Sequence, residues 1–199
     1  MEGKLNNTIE KGFNKRIFTF KEFINDLIFL IIRCPCIIKT VFFSKQINTI
    51  FREKIMTIVT AINGCTYCSW FHAKVAVSSG MSIDEVKEMV NLQFDTQTNN
   101  KELVALLYAQ NYTETNRNPD EIMETKLMKT YGKKTVRQIK LIIRLMFFTN
   151  LQGNTFDAFI SRINGKPAKN SNFIFEFFFF LINAPFILPL KPFVNDKQQ

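Results

Sequence analysis

The sequence predicts an all-α fold, a compact antiparallel helical bundle, on three observations. Apolar residues recur at spacings of three and four through most of the chain. No stretch of five or more residues alternates strictly between apolar and polar, and no Asn-Gly pair joins two such stretches. Helix start and stop signals punctuate the chain at short intervals.

Within 17–43, Phe20, Ile24, Leu27, Ile28 and Ile31 follow helical periodicity. Proline disfavours helix in the residue before it, so Cys34-Pro35-Cys36 predicts two short helices there. Over 48–62, Ile50, Ile55, Ile58, Val59 and Ile62 define a second helix that stops at Asn63-Gly64. The next helix begins at or near Cys65 and runs to about Ser79, before Gly80, a favoured C-terminal residue. Ser82 and Glu85 read as a capping box that launches a helix over 83–91. A helix over roughly 100–112 follows. Asn118-Pro119 predicts an N-cap followed by proline at the first helical position, with a stop near Gly132 and a long helix over about 135–160.

Phe173 to Leu190 carries Glu176 and Asn183 as its polar interruptions and approaches the length of a membrane span. Pro185 and Pro189 predict a helix broken after about ten residues. Core or subunit packing is therefore expected rather than membrane association, and an apolar surface of this kind predicts a homo-oligomer.

At 199 residues the chain suits one compact domain with a sizeable core, or one domain with extended termini, and 46% hydrophobic residues with 7 Gly and 6 Pro argue against extensive disorder or a fibrous repeat. The net charge of +9 invites a nucleic-acid reading. Basic residues are however interspersed with Asp and Glu and accompany no nucleic-acid-binding signature, so a solvated basic surface is expected and no nucleic-acid partner. The 22 Phe often stand where Leu would serve in a helical core. Four cysteines are too few for a disulfide scaffold in a chain this long, and the apolar run Leu27 to Ile32 is too short for a signal-peptide core. Cytoplasmic residence is expected.

The chemistry-bearing stretch is Glu53, then eleven residues, then Cys65-Thr66-Tyr67-Cys68-Ser69-Trp70-Phe71-His72. In a helix starting at Cys65, residues 65, 68 and 72 project from one face. The free N–H groups and macrodipole of a helix N-terminus favour negative charge and lower a thiol pKa, and the thiolate is the nucleophile. His72, the one histidine of the chain, can take the thiol proton. Glu53 could reach the same face if the two helices pack antiparallel.

Each element also has a plainer reading. Cys65, Cys68 and His72 could supply three zinc ligands, but a structural zinc wants four, and the spare thiols that could complete the set are Cys34 and Cys36. Those two could also form an auxiliary disulfide; buried free cysteines are the simpler expectation. A lone Glu is ordinarily a solvated surface residue. Asn150, Gln152, Asn154 and Asp157 lie in an otherwise apolar helix, where joining two helices is favoured over lining a pocket. No glycine-rich nucleotide loop is visible, so no cofactor is expected, and a metal is not required.

The pattern of Glu53, Cys65, Cys68 and His72, inside Asn63-Gly64-Cys65-Thr66-Tyr67-Cys68 and followed by Gly80-Met81-Ser82, resembles the AhpD-like alkylhydroperoxidase branch of the carboxymuconolactone decarboxylase family. Residues 150–157 and 164–167 look like a longer bacterial-type subgroup. The resemblance divides the chain into an N-terminal helical extension (1–46), an AhpD-like domain (47–160) and a Phe-rich C-terminal packing segment (161–199). It implies an all-helical oligomer acting as a thiol-dependent peroxidase. Cys68 would attack peroxide and become a sulfenic acid, Cys65 would be proton donor and resolving thiol, and His72 with Glu53 would form the proton relay. The resulting disulfide would be reduced by an external dithiol protein. The best-known peroxidase of the branch has a second His between its cysteines, where this chain has Tyr67. A general thiol–disulfide oxidoreductase acting on a disulfide substrate is the alternative. Decarboxylase members of the family lack the cysteine pair, and a non-catalytic helical oligomer would make no use of it.

Overall fold

The computed structural model describes residues 13–93, 100–169 and 171–195 of the chain. The ends of the expected N-terminal extension and C-terminal segment lie outside them. The helices are α1 (Phe20–Phe43), α2 (Thr49–Asn63), α3 (Thr66–Ser78), α4 (Ile83–Val90), α5 (Asn100–Glu114), α6 (Glu121–Ile163), α7 (Phe173–Ile187) and α8 (Lys191–Asn195), with one 3-10 turn over Leu188–Leu190. Among the described residues there is no strand; one isolated bridge pairs Phe13 with Ala168.

The packing is organised around α2. Phe51, Ile55, Met56, Ile58 and Val59 are all buried, so this helix is apolar on several sides, as one enclosed by neighbours must be. Helices α3, α4, α5 and α6 surround it, while α1 and α7 pack against α6. Gly132, at φ 71° and ψ 162°, breaks α6 into two arms where a stop was expected; its positive φ is one that glycine adopts without a Cβ clash. The C-terminal arm carries Ile139, Ile142, Ile143, Met146, Phe147 and Leu151 into the core. Phe18, Phe23, Phe148 and Phe179 interlock where α1, α6 and α7 meet, with ring centroids 5.1–6.3 Å apart. Arg162 on α6 donates to the fully buried Glu176 on α7 at 2.6 Å.

Four sequence expectations need correction. Helix α1 runs unbroken through Pro35. A helical proline orphans the carbonyl four residues earlier, but Ile31 is 64% exposed, where water can satisfy that group, and α6 holds α1 through Arg144 on Asp26 and Phe29 before the proline and through Gln138 on the C-cap Ser44 after it. Helix α7 likewise continues through Pro185, on a stretch where Leu181, four residues earlier, is exposed. Cys34 and Cys36 are exposed free thiols on α1 rather than buried ones. The cap of α6 is Asp120, not Asn118: its carboxylate accepts from the Ile122 N–H at 3.0 Å, and Pro119 stands before the cap. An aspartate there both fills the orphan donor and complements the positive end of the helix dipole.

Candidate thiol site

Asn48 caps α2 by accepting from the Phe51 N–H, and Gly64 ends it in the left-handed region (φ 67°), its N–H bonded to the Thr60 carbonyl. That tight reversal delivers Cys65 to the N-cap position of α3, where its sulfur accepts from the Cys68 N–H at 3.4 Å. Cys68 follows within the first turn. The two sulfurs lie 2.7 Å apart as free thiols. A disulfide is about 2.05 Å long, so closing the bond needs a movement of about 0.7 Å.

The two cysteines are not equivalent. Cys65 is fully buried among Tyr67, Phe156, Ile187 and Val194. Cys68 opens onto a cleft of about 320 Å³ that it shares with His72, Phe71, Gln152, Phe186 and Leu190. The hydrogen bond from the Cys65 thiol is the largest influence holding the Cys68 pKa below its ordinary value, with Asn150 and Thr149 adding to it and burial opposing it. The same bond, followed by burial, pushes the Cys65 thiol well up. The two shifts run in opposite directions, so the pair favours the proton on Cys65 and the negative charge on Cys68. When Cys68 is protonated, its S–H faces the Thr149 carbonyl at 3.7 Å.

His72 and Glu53 come together as their spacing allowed. The imidazole Nδ1 is 2.7 Å from Glu53 Oε2, and the Glu53 carboxylate is almost completely buried. Arg52 Nε lies 3.3 Å from the other carboxylate oxygen, Oε1. A buried carboxylate needs such partners, and this contact fixes the orientation of the imidazole.

The polar cluster of α6 serves two purposes. Asn150 Nδ2 donates to Thr60 Oγ1 at 3.2 Å, Asn154 donates to the Asn63 carbonyl at 2.8 Å, and Tyr67 donates to Asp157 at 2.7 Å, so all three tie α6 to the cysteine-bearing helix pair. Gln152 instead lines the cleft and donates to Asn183 on α7. Burial, then the Asp157 carboxylate, holds the Tyr67 phenol well above its ordinary pKa, so Tyr67 keeps its proton.

Sequence reasoning missed Gly153. A Cβ there would stand 2.7 Å from Cys65 Sγ and 3.4 Å from Tyr67 Cδ2, so the helix approaches the sulfur as closely as glycine alone permits. The available signal was a glycine inside an otherwise apolar helix, where it is disfavoured unless close packing requires it. Cys34 and Cys36 stand outside this cleft, and among the described residues no three His, Cys, Asp or Glu side chains form a metal-binding group.

The comparisons with known proteins bear on this arrangement. Residues 39–111, which contain Glu53, Cys65, Cys68 and His72, match the family model of the carboxymuconolactone decarboxylase family, in agreement with the resemblance read from the motif. Among solved structures the chain is similar to an uncharacterized peroxidase-related protein from Silicibacter sp. TM1040, at 16% identity over 75% of each chain with a TM-score of 0.53. That likeness shows a shared all-α fold. No curated protein matches the chain.

Proposed function

We propose that the protein is a thiol-dependent peroxidase of the alkylhydroperoxidase type. The observation that carries the reading is the pairing, at 2.7 Å, of a buried proton-bearing Cys65 with a cleft-facing Cys68 whose pKa is lowered. Cys68 gives its proton to His72, which Glu53 holds in place, directly or through a water. The thiolate attacks the outer oxygen of a hydroperoxide; the S–O bond forms, the O–O bond breaks, and the departing alkoxide takes the Cys65 proton to leave as alcohol. The Cys65 thiolate then attacks the Cys68 sulfenic acid, and the displaced hydroxide takes the proton held by His72 and leaves as water. Two thiols and one hydroperoxide thereby give one disulfide, one alcohol and one water, and an external dithiol protein resets the pair.

The test is Cys65→Ser treated with one equivalent of cumene hydroperoxide in the presence of dimedone. Trapping of a sulfenic acid at Cys68 is expected. An untouched Cys68 thiol with full recovery of the peroxide would refute the assignment.

A thiol–disulfide oxidoreductase is the second reading. Phe71 and Phe186 flank the cleft at 53% and 74% exposure, an apolar mouth that suits a bulky organic peroxide or a peptide disulfide alike. We also propose a cytoplasmic homo-oligomer. The exposed apolar residues of α7, Ile174, Phe178, Ile182 and Phe186, support the assembly. By length and composition Phe173–Val194 is also able to cross a membrane, and most of it is exposed; fractionation with lipid would replace the subunit-packing reading with a membrane-bound one.

A further inference from the structure

A second cleft, of about 530 Å³, lies elsewhere, between α1, the α5–α6 turn and α6, and shares no lining residue with the thiol site. Arg33 from α1, Arg117 from the turn, and Lys133, Arg137, Lys140 and Arg144 from α6 all line it. Two carboxylates answer these six cations. Asp26, itself buried, pairs with Arg117 at 2.7 Å and Arg144 at 3.2 Å, and Glu124 pairs with Lys140. Arg33, Lys133 and Arg137 have no ion-pair partner among the described residues. Gathering uncompensated like charges around one cavity is repulsive, and an anion inside relieves it.

Two further observations point the same way. Arg117 and Arg144 are held against aromatic rings, Phe147 at 4.5 Å and Phe29 at 3.4 Å from the guanidinium carbon, which fixes both guanidinium planes before any ligand arrives. Arg117 also sits in the left-handed region (φ 73°) directly after Asn116 (φ 52°), a conformation disfavoured for a residue with a long side chain. Such local cost is retained where the side chain's position matters.

We propose that this cleft binds a multiply charged organic phosphate. Guanidinium forks arriving from three elements suit the several acceptor oxygens of a tetrahedral phosphate better than the single plane of a carboxylate. Phe29, Tyr112, Met128 and Leu141 supply an apolar wall for the body that carries the charge.

The test is isothermal titration calorimetry of the full reduced chain at physiological salt with adenosine diphosphate, inorganic pyrophosphate and citrate. Saturable one-to-one binding of both phosphates is expected, with adenosine diphosphate the tighter. Citrate, of comparable charge, is expected to be weaker by about tenfold or more. The double substitution Arg33→Gln/Arg137→Gln removes two cations that hold no structural partner. It should weaken phosphate binding by about tenfold or more while leaving the melting temperature and Cys68 oxidation unchanged. Lys133→Gln, on the exposed rim, gives a second variant if the double one melts early. The proposal is overturned if neither phosphate saturates, if citrate binds as tightly, or if the variants bind like wild type. None of these outcomes touches the thiol assignment, because the two clefts are separate.

Discussion

Gly153→Ala sets two known effects against each other at the sulfur centre. Alanine in a helix interior is favoured over glycine by about 1 kcal/mol. Against this, the new Cβ would lie 2.7 Å from Cys65 Sγ, whereas non-bonded heavy atoms prefer about 3.5–4.0 Å, an overlap of about 1 Å. Cys65 cannot swing away, since it is fully buried, caps α3 and is hydrogen-bonded to Cys68. Overpacking of this kind costs about 1–3 kcal/mol, so the net change should be a loss of up to about 2 kcal/mol. In a Cys65→Ala background the clashing sulfur is absent, and the same substitution should become neutral or stabilising by up to about 1 kcal/mol. Urea unfolding of the four proteins under reducing conditions measures the coupling, expected at about 1–3 kcal/mol. Equal effects of Gly153→Ala in both backgrounds would refute the claim that this glycine exists to admit the sulfur.

Three other outcomes follow from the geometry. The rate of Cys68 alkylation by iodoacetamide should rise with pH through a midpoint lower than that of an ordinary thiol, because Cys65 donates to the anion. Cys65→Ala removes that donor, so the midpoint should move up; a midpoint that stays put would separate the lowered pKa from the cysteine pair. His72→Asn should slow single-turnover oxidation of Cys68 by about a hundredfold or more, and stopped-flow kinetics showing an unchanged rate would remove the imidazole from the mechanism. Arg162→Met leaves Glu176 buried without its cation and should cost about 3–5 kcal/mol in urea unfolding; a loss under about 1 kcal/mol would contradict the reading of Arg162 as the clamp between α6 and α7.

What could be read in advance was local. The three- and four-residue spacings of Cys65, Cys68 and His72 make their common face by helix geometry alone, and Gly64 and Ser82 act through their own backbone turns. What could not be read depends on neighbours distant in sequence. Whether Pro35 breaks a helix is decided by whether water reaches the carbonyl it orphans, and that is set by how α1 lies on α6. The exposure of Cys34 and Cys36 follows from the same packing. Gly153 is 88 residues beyond Cys65, and its role exists only once α6 presses on α3. The basic cleft joins residues as far apart as Arg33 and Arg144; in the sequence they read as solvated surface charge, and only the fold brings them to one cavity.

A peroxide-reducing Cys65–Cys68 pair is tested most directly by intact-protein and peptide mass spectrometry after one equivalent of an alkyl hydroperoxide, with and without a dithiol. It predicts a loss of two hydrogens confined to Cys65 and Cys68, reversed by the dithiol, with peroxide consumption abolished in Cys68→Ser. Thiols that stay reduced while the peroxide persists, or peroxide consumption that continues in Cys68→Ser, would contradict it.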